Sequence, residues 1–354
     1  MAAKFLILQA SSRDCSDLWW QGSSLSVELK SFGALQSLSS WVLEHRPPVW
    51  ALRAVASVEG CYQAHTYSPI DGTRWNPLPR LLDLELHNMQ VDTWALLEHT
   101  KLTRLVLKDL RGAPGEAPSP LQPLCDYQPN LAALPRLREL RLVRCGLPDL
   151  PSGLSALLRL KVLDLEGNGS LLEGNGSLGE EQSLELLSVL PALTWLSLAG
   201  CGLRSVPATL AVMIQLSCLD LSENPLDGWG FQHLPSLVHL TCLNLNHTWC
   251  YYGPWLPIGL SSRLRHLGLQ GMPFKALPPV LTTLSNLHSL DLGGATHLGS
   301  SHSLRPAREG ALCIEAAAVH LPQLATLRVN LVGRELQHLK ARLGRRGATI
   351  QISC

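Results

Sequence analysis

Between residues 193 and 226 the chain repeats itself with a period of 23. The stretch reads LTWLSLAGCGLRSVPATLAVMIQLSCLDLSENPL. Leu193, Leu196 and Leu198 take the first, fourth and sixth places, Cys201 the ninth and Leu203 the eleventh. After Val206-Pro207 the pattern restarts at Leu216, with Leu219, Leu221, Asn224 and Leu226. A fixed period of about 20 to 29 residues belongs to stacked arrays, in which one unit cannot bury its own apolar face and needs neighbours.

The leading leucines are Leu81, Leu102, Leu137, Leu160, Leu193, Leu216, Leu240, Leu264, Leu287 and Leu324. Most steps are 21 to 24 residues, and three are longer: 35 after Leu102, 33 after Leu160 and 37 after Leu287. The excess falls near 111–130, 167–180 and 295–319, outside the leucine run, as insertions in a solenoid should. The second of these contains a direct duplication, beginning at Glu166 and again at Glu173, which reads as a tandem slip in the gene.

Alternation of side chains along a strand sends the leucines of LxxLxL inward and the residues between them outward. The ninth place (Cys145, Asn168, Cys201, Asn224) lies where the chain leaves the strand. An Asn there can satisfy backbone groups without a sheet partner, and Cys replaces it as a weak donor. The return path carries a second apolar set with prolines, at Leu150-Pro151, Val206-Pro207 and Leu277-Pro278. Proline removes a donor, so this path is not a central sheet strand. The runs between breakers are also too short for stable helix pairs.

Segments such as LRELRLVRCGLPDLPSGLSALLRL from Leu137 and LRHLGLQGMPFKALPPVLTTLSNL from Leu264 resemble the leucine-rich-repeat family, in its intracellular 23-residue class. The resemblance covers 81–332 well and 49–80 weakly. It implies an α/β solenoid: a curved horseshoe with a parallel sheet on the concave face, an irregular or short-helical convex side, and a concave face that binds other macromolecules, usually proteins.

Residues 1–48 read as an N-terminal cap. Leu25, Val27 and Leu29 alternate as in a strand, and Leu35, Leu38, Trp41 and Val42 fall at helical spacing before Pro47-Pro48. Ala51 to Ala56 reads as the strand of a degenerate first repeat, and 57–77 as a loop. Residues 333–354 read as a C-terminal cap, with helical spacing from Glu335 to Leu343 and a last strand from Thr349 to Ser353. The segment from Asp17, with the pair Leu18-Trp19, resembles the stretch just after the box in F-box/leucine-rich-repeat proteins. That resemblance would imply a substrate receptor of a cullin-type ubiquitin ligase, held by an adaptor, given an upstream box whose front helices this sequence lacks.

Register alone places the outward residues at the third, fifth, seventh and eighth places. They include Asp83, Glu85, His87 and Glu139, and a basic group of Arg104, Lys108, Arg141 and Arg144. An acidic group of Asp164, Glu166, Asp220 and Glu223 adjoins it, with Trp195 among them. Cys218, Cys242, Asn244, Asn246, His247, His266, Gln270, Asp291 and Arg328 complete the face. A tryptophan ringed by charge suits a docking hot spot. We take Arg104, Lys108, Arg141, Arg144, Asp164, Glu166, Trp195, Asp220, Glu223, Asn244 and His247 as the candidate partner-binding set.

The chain of 354 residues is 46% apolar and 16% charged with a formal charge of +1, so no global field draws it to nucleic acid or membrane. No apolar run approaches the roughly 18 residues of a membrane span. Ten scattered cysteines read as reduced thiols of a cytosolic protein, and the sequons at Asn168, Asn175 and Asn246 as chance matches. His239, Cys242, His247 and Cys250 mimic zinc spacing, but along an extended chain they spread too far for one ion. No GxxxxGK, GxSxG or HExxH occurs. The expectation is a monomeric, cytoplasmic, non-catalytic scaffold with a protein partner, no cofactor and no metal. A cytoskeletal or axonemal pool is a further reading.

Overall fold

The computed structural model describes residues 7–10, 24–29, 51–56, 81–87, 101–109, 131–169 (without 148, 149 and 152), 185–226, 231–248, 259–272 (without 261), 278–294, 320–329, 333–344 and 351–353. The chain divides into two compact units, Met1–Gly174 with Val189–Leu193, and Asn175–Ser188 with Thr194–Cys354.

In the first unit the strands are β1 (Ile7–Ala10), β2 (Ser24–Leu29), β3 (Ala51–Ala56), β4 (Asp83–His87), β5 (Arg104–Lys108), β6 (Glu139–Val143) and β7 (Val162–Asp164). Each pairs in parallel with the next in chain order. The expected strands at Leu25–Leu29 and Ala51–Ala56 are present. Strand pairing also starts before the regular leucines: Leu25 registers with Leu52, and Leu52 with Leu84. Strand β1 was not expected, because Ile7–Ala10 carries no leucine-repeat pattern.

The second unit holds β8 (Trp195–Ser197), β9 (Cys218–Asp220), β10 (Cys242–Asn244), β11 (His266–Gly268), β12 (Ser289–Leu292), β13 (Thr326–Val329) and β14 (Gln351–Ser353). These too pair in parallel and in order. The helix Gly333–Gly344 stands where the terminal helical spacing predicted one, and β14 forms the last strand.

Long steps do not disturb the register. Arg104 pairs with Glu139 across a 35-residue step, and Ser289 with Thr326 across a 37-residue step. The added chain at 111–130 and 295–319 therefore enters between strands; those insertions, the helical spacing at 35–42, Leu18-Trp19 and Cys250 lie outside the described residues.

The core is built by the leucine pattern. None of the ten leading leucines exposes more than 3% of its surface, and the fourth-place leucines from Leu84 to Leu327 do no worse. Each such side chain contributes about 1.5 to 3 kcal/mol when removed from water. Return segments are short 3-10 turns, at Leu131–Ala133, Leu154–Ala156, Ala208–Val212, Phe231–Ser236 and Pro279–Thr283. Pro207 and Pro278 stand just before two of these turns, where a missing N–H is harmless. Leu154, Leu157, Val206, Leu210, Leu281 and Leu284 are buried beneath them.

Candidate functional site

The polar face of each sheet begins where the inward leucines leave every second side chain outward. Beyond the strand the chain must turn, and one place does it throughout. Asp109, Arg144, Gly167, Gly200, Glu223, His247, Gly271 and Gly294 all occupy the eighth place, and all have φ between 50° and 73°. Asp109, Arg144, Gly200, Glu223, His247 and Gly271 then donate their turned backbone N–H to the seventh-place carbonyl of the next repeat, as in Arg144 to Glu166 (2.8 Å), Glu223 to Asn246 (2.9 Å) and His247 to Gln270 (2.6 Å). Glycine reaches this left-handed region without strain, whereas Arg, Glu and His do so at a cost. The sequence carried this signal as four glycines in one column. Taken only as an outward place, that column hides its main constraint, which falls on the backbone more than on the side chain.

One place further on, the asparagines act as expected. The Asn224 Oδ1 accepts from the backbone N–H groups of Cys201 and Leu203, both at 3.0 Å, and its Nδ2 donates to Leu198, Leu221 and Ser222 carbonyls. Asn168 does the same for Cys145, Leu147, Leu142 and Leu165. Both are fully buried, which removes Asn168 as a glycan acceptor in the folded chain. Cys145 donates its S–H to the Leu107 and Val143 carbonyls, and Cys201 to Ala199, as substitutes in that place.

A second structural role, not foreseen from register, belongs to the fifth place. There a short polar side chain accepts from the seventh-place N–H of its own repeat. Asp164 serves Glu166 (3.2 Å), Asp220 serves Ser222 (2.9 Å), Asn244 serves Asn246 (3.1 Å) and Asp291 serves Gly293 (2.9 Å). Gly268 has no side chain to offer. Its repeat is served from the neighbouring strand, where the Asn246 Oδ1 accepts from Gln270 N–H at 2.7 Å. A Cβ on Gly268 would meet the Asn244 and Asn246 side-chain oxygens at 2.5 and 2.7 Å, so the glycine and the crossing asparagine belong together. The recurrence of Asp, Ser and Asn in this column was visible in the sequence. Three of the candidate contact residues, Asp164, Asp220 and Asn244, are thus also framework.

In the first unit the charges interleave, which corrects the picture of a basic cluster beside a separate acidic one. Arg104 contacts Asp83 at 2.8 Å, Glu85 at 3.0 Å and Glu139 at 3.2 Å. Arg141 bridges Glu139 (2.7 Å) and Asp164 (3.2 Å). Arg144 forks onto both Asp109 oxygens and lies 3.5 Å from Glu166. The physical reason is the register: each arginine sits one strand spacing from carboxylates on its neighbours, close enough to pair. Asp164 is also only 4% exposed, too buried to offer a partner much surface. His87 pairs with Glu85 at 2.8 Å, and Lys108 lies at the end of β5 beside Asp109.

These contacts shift acidities. Burial holds Asp83 above the ordinary carboxylate range, against the opposing hydrogen bond and charge of Arg104. Although burial works the other way, the Asp83 and Glu85 carboxylates raise Arg104 further into its charged form. The hydrogen bond from Arg144 holds Asp109 below the ordinary carboxylate range, with burial opposing and Lys108 adding.

In the second unit the third-place row reads Trp195, Cys218, Cys242, His266, each paired with the next. Trp195, Cys218 and Cys242 are partly exposed and His266 is exposed. Beside them runs a hydrogen-bonded line in which Asn244 donates to Asp220 at 2.9 Å. Glu223 and His247 are exposed at their turns; His247 lies over Gly271, where a Cβ would meet its Nδ1 at 2.6 Å. Arg328 approaches Asp291 at 3.5 Å. His239 contacts Arg263 at 3.1 Å, on the return side. Among the described residues no group of three or more His, Cys, Asp or Glu side chains could hold a metal ion. Nor is any described helix long and apolar enough to cross a membrane.

Parallel strands at the leucine period, with inward leucines, an asparagine-bearing turn and short 3-10 returns, define a leucine-rich-repeat solenoid. No protein-family model and no curated protein matches the sequence. Solved structures do match. A chain of the Toll–Spatzle complex of Drosophila aligns with a TM-score of 0.52 and 15% identity, over 87% of this chain and 40% of that one. A leucine-rich-repeat protein of Leptospira interrogans aligns at 0.48 and 18%, over 94% and 90%. An internalin of Listeria monocytogenes aligns at 0.42 and 19%, over 88% of each chain. At such identities the Toll–Spatzle likeness speaks to fold alone.

Proposed function

We propose that the protein is a non-catalytic interaction scaffold that docks a protein partner on the polar face of its repeat sheet. The observation that carries this reading is Trp195, a large aromatic side chain left partly exposed on the third-place row of the polar face. Aromatic anchors of this kind dominate the energetics of protein interfaces. Around it the second unit offers Asp220, Asn244, Glu223 and His247 as polar rim. In the first unit, taken by itself, Arg104, Lys108, Arg141, Arg144 and Glu166 are the candidates for contact, the arginines being already ion-paired to carboxylates.

Affinity capture from native extract tests the reading, comparing wild type with Trp195→Ala and with Val212→Ala, which lies on the return side and is 64% exposed. Partners that survive Val212→Ala but are lost with Trp195→Ala support the site. Equal capture by all three proteins removes Trp195 and the polar face around it. Adding Arg141→Glu reports separately on the charged ladder.

A further inference from the structure

The described cysteines fall into two kinds. Cys145 and Cys201 are buried, with S–H groups directed at backbone carbonyls, a setting in which a thiol is inert. Cys218 and Cys242 are partly exposed on the polar face and unbridged. They occupy the same third place of successive repeats, and the ladder pairs them directly, Cys242 opposite Cys218.

We propose that Cys218 and Cys242 form a vicinal dithiol site that reacts with a low-molecular-weight disulfide, such as glutathione disulfide, to close a reversible bridge between β9 and β10. The strand geometry permits it. Adjacent strands lie about 4.8 Å apart, within the roughly 4.4 to 6.8 Å that separates the Cα atoms of bridged cysteines. The Cβ atoms must draw in from the strand spacing towards about 3.8 Å. A bridge closed against that resistance is readily reopened by thiols, which suits reversible exchange.

The two sulfurs are also unequal. The hydrogen bond from Cys218 holds the Cys242 thiol below its ordinary acidity range, against burial and the Asp220 charge. That same hydrogen bond, with burial, pushes Cys218 up. The exchange balances with Cys242 entering first or with the two roles reversed. With Cys242 first, its thiolate attacks one sulfur of glutathione disulfide, and one glutathione thiolate leaves. Cys218 then gives up its proton to solvent and attacks the Cys242 sulfur of the mixed disulfide, expelling the second glutathione. Two protein thiols are oxidised, one glutathione disulfide is reduced to two glutathiones, and no further oxidant is needed. Trp195, paired with Cys218, and His266, paired with Cys242, flank the site. This site stands whether or not the same face docks a partner.

Full-length reduced protein, incubated with glutathione disulfide at mildly alkaline pH and then alkylated, should yield a peptide pair linked through Cys218 and Cys242. The Cys218 and Cys242 peptides should both lose alkylation, the far-ultraviolet circular dichroism should be kept, and dithiothreitol should restore both sites. Cys218→Ser should trap a single glutathione on Cys242. Cys242→Ser should likewise yield no bridge and a single glutathione on Cys218. Absence of the linked pair in folded wild type would overturn the proposal. The wild-type measurement decides alone should either variant misfold.

Discussion

At the scale of single residues, three places in the repeat carry backbone duties that their side-chain chemistry does not announce. Glu223 is exposed and held at φ 58°, a region glycine enters freely. Glu223→Gly should therefore stabilise the protein by about 1 kcal/mol, read as a higher midpoint in urea with an unchanged slope. A lower midpoint would mean that the glutamate makes contacts worth more than its strain. Asn224→Ala strands two buried N–H groups and leaves three carbonyls without their donor. It should cost on the order of 3 kcal/mol or more, whereas Cys201→Ala, which loses one weak donor, should cost far less. Asn246 and Gly268 form a compensating pair. Asn246→Ala should cost about 1 to 2 kcal/mol by orphaning the Gln270 N–H. Gly268→Asp should cost less in the Asn246→Ala protein than in wild type, because the Asn246 Oδ1 that its Cβ would meet at 2.7 Å is gone while the Asn244 Oδ1 at 2.5 Å remains. A double-mutant cycle with no coupling would refute this account.

At the scale of elements, strands are held to their neighbours by ladder bonds below and by ion pairs above. Arg144 ties the end of β6 to Asp109 at the end of β5. The folded pKa of Asp109 lies below its unfolded value. Its stabilisation is therefore fully present above the ordinary carboxylate range, near 3.9, and is lost as pH falls through the depressed folded value. The pair is partly solvent-screened, so Asp109→Asn should cost only about 0.5 kcal/mol at neutral pH. Asparagine tolerates the same left-handed backbone, which confines the change to charge. Denaturation measured from neutral pH down into the acid limb should show a shallower loss for the variant; an unchanged acid limb would place the linkage elsewhere. Asp83 acts with the opposite sign. Its folded pKa is raised by burial, so its contribution is present at low pH and disappears as pH rises through that value.

At the scale of the whole molecule, the array tolerates extra chain where the ladder does not run. Strands β5 and β6 pair in full register although their leading leucines are 35 residues apart. Removing about a dozen residues from 111–130 would restore the regular period, and it should leave the circular dichroism unchanged and shift the unfolding midpoint little. A large loss of stability would show that the insertion packs on the repeats. Inserting a single residue within β9 should act differently, because a one-residue slip exchanges inward and outward faces and buries Cys218 in place of Leu219.

The amino-acid sequence by itself determined the period, the inward leucines, the buried asparagines and the short return turns. All of these come from local alternation and from apolar groups that must leave water, and both are written residue by residue. It also placed the outward side chains on their face, including Trp195 and the two facing cysteines. Only the tertiary structure decided what those side chains do there. Which carboxylates Arg141 meets, whether Asp164 is exposed, and whether Asn246 serves its own strand or the next depend on residues about 23 positions away. Such contacts exist only once strands stack about 4.8 Å apart, and no local pattern encodes which partner wins. The left-handed turn at Arg144, Glu223 and His247 lies between the two cases. Its demand is local and was signalled by Gly167, Gly200, Gly271 and Gly294, but its necessity appears only when the turned N–H finds a carbonyl on the neighbouring repeat.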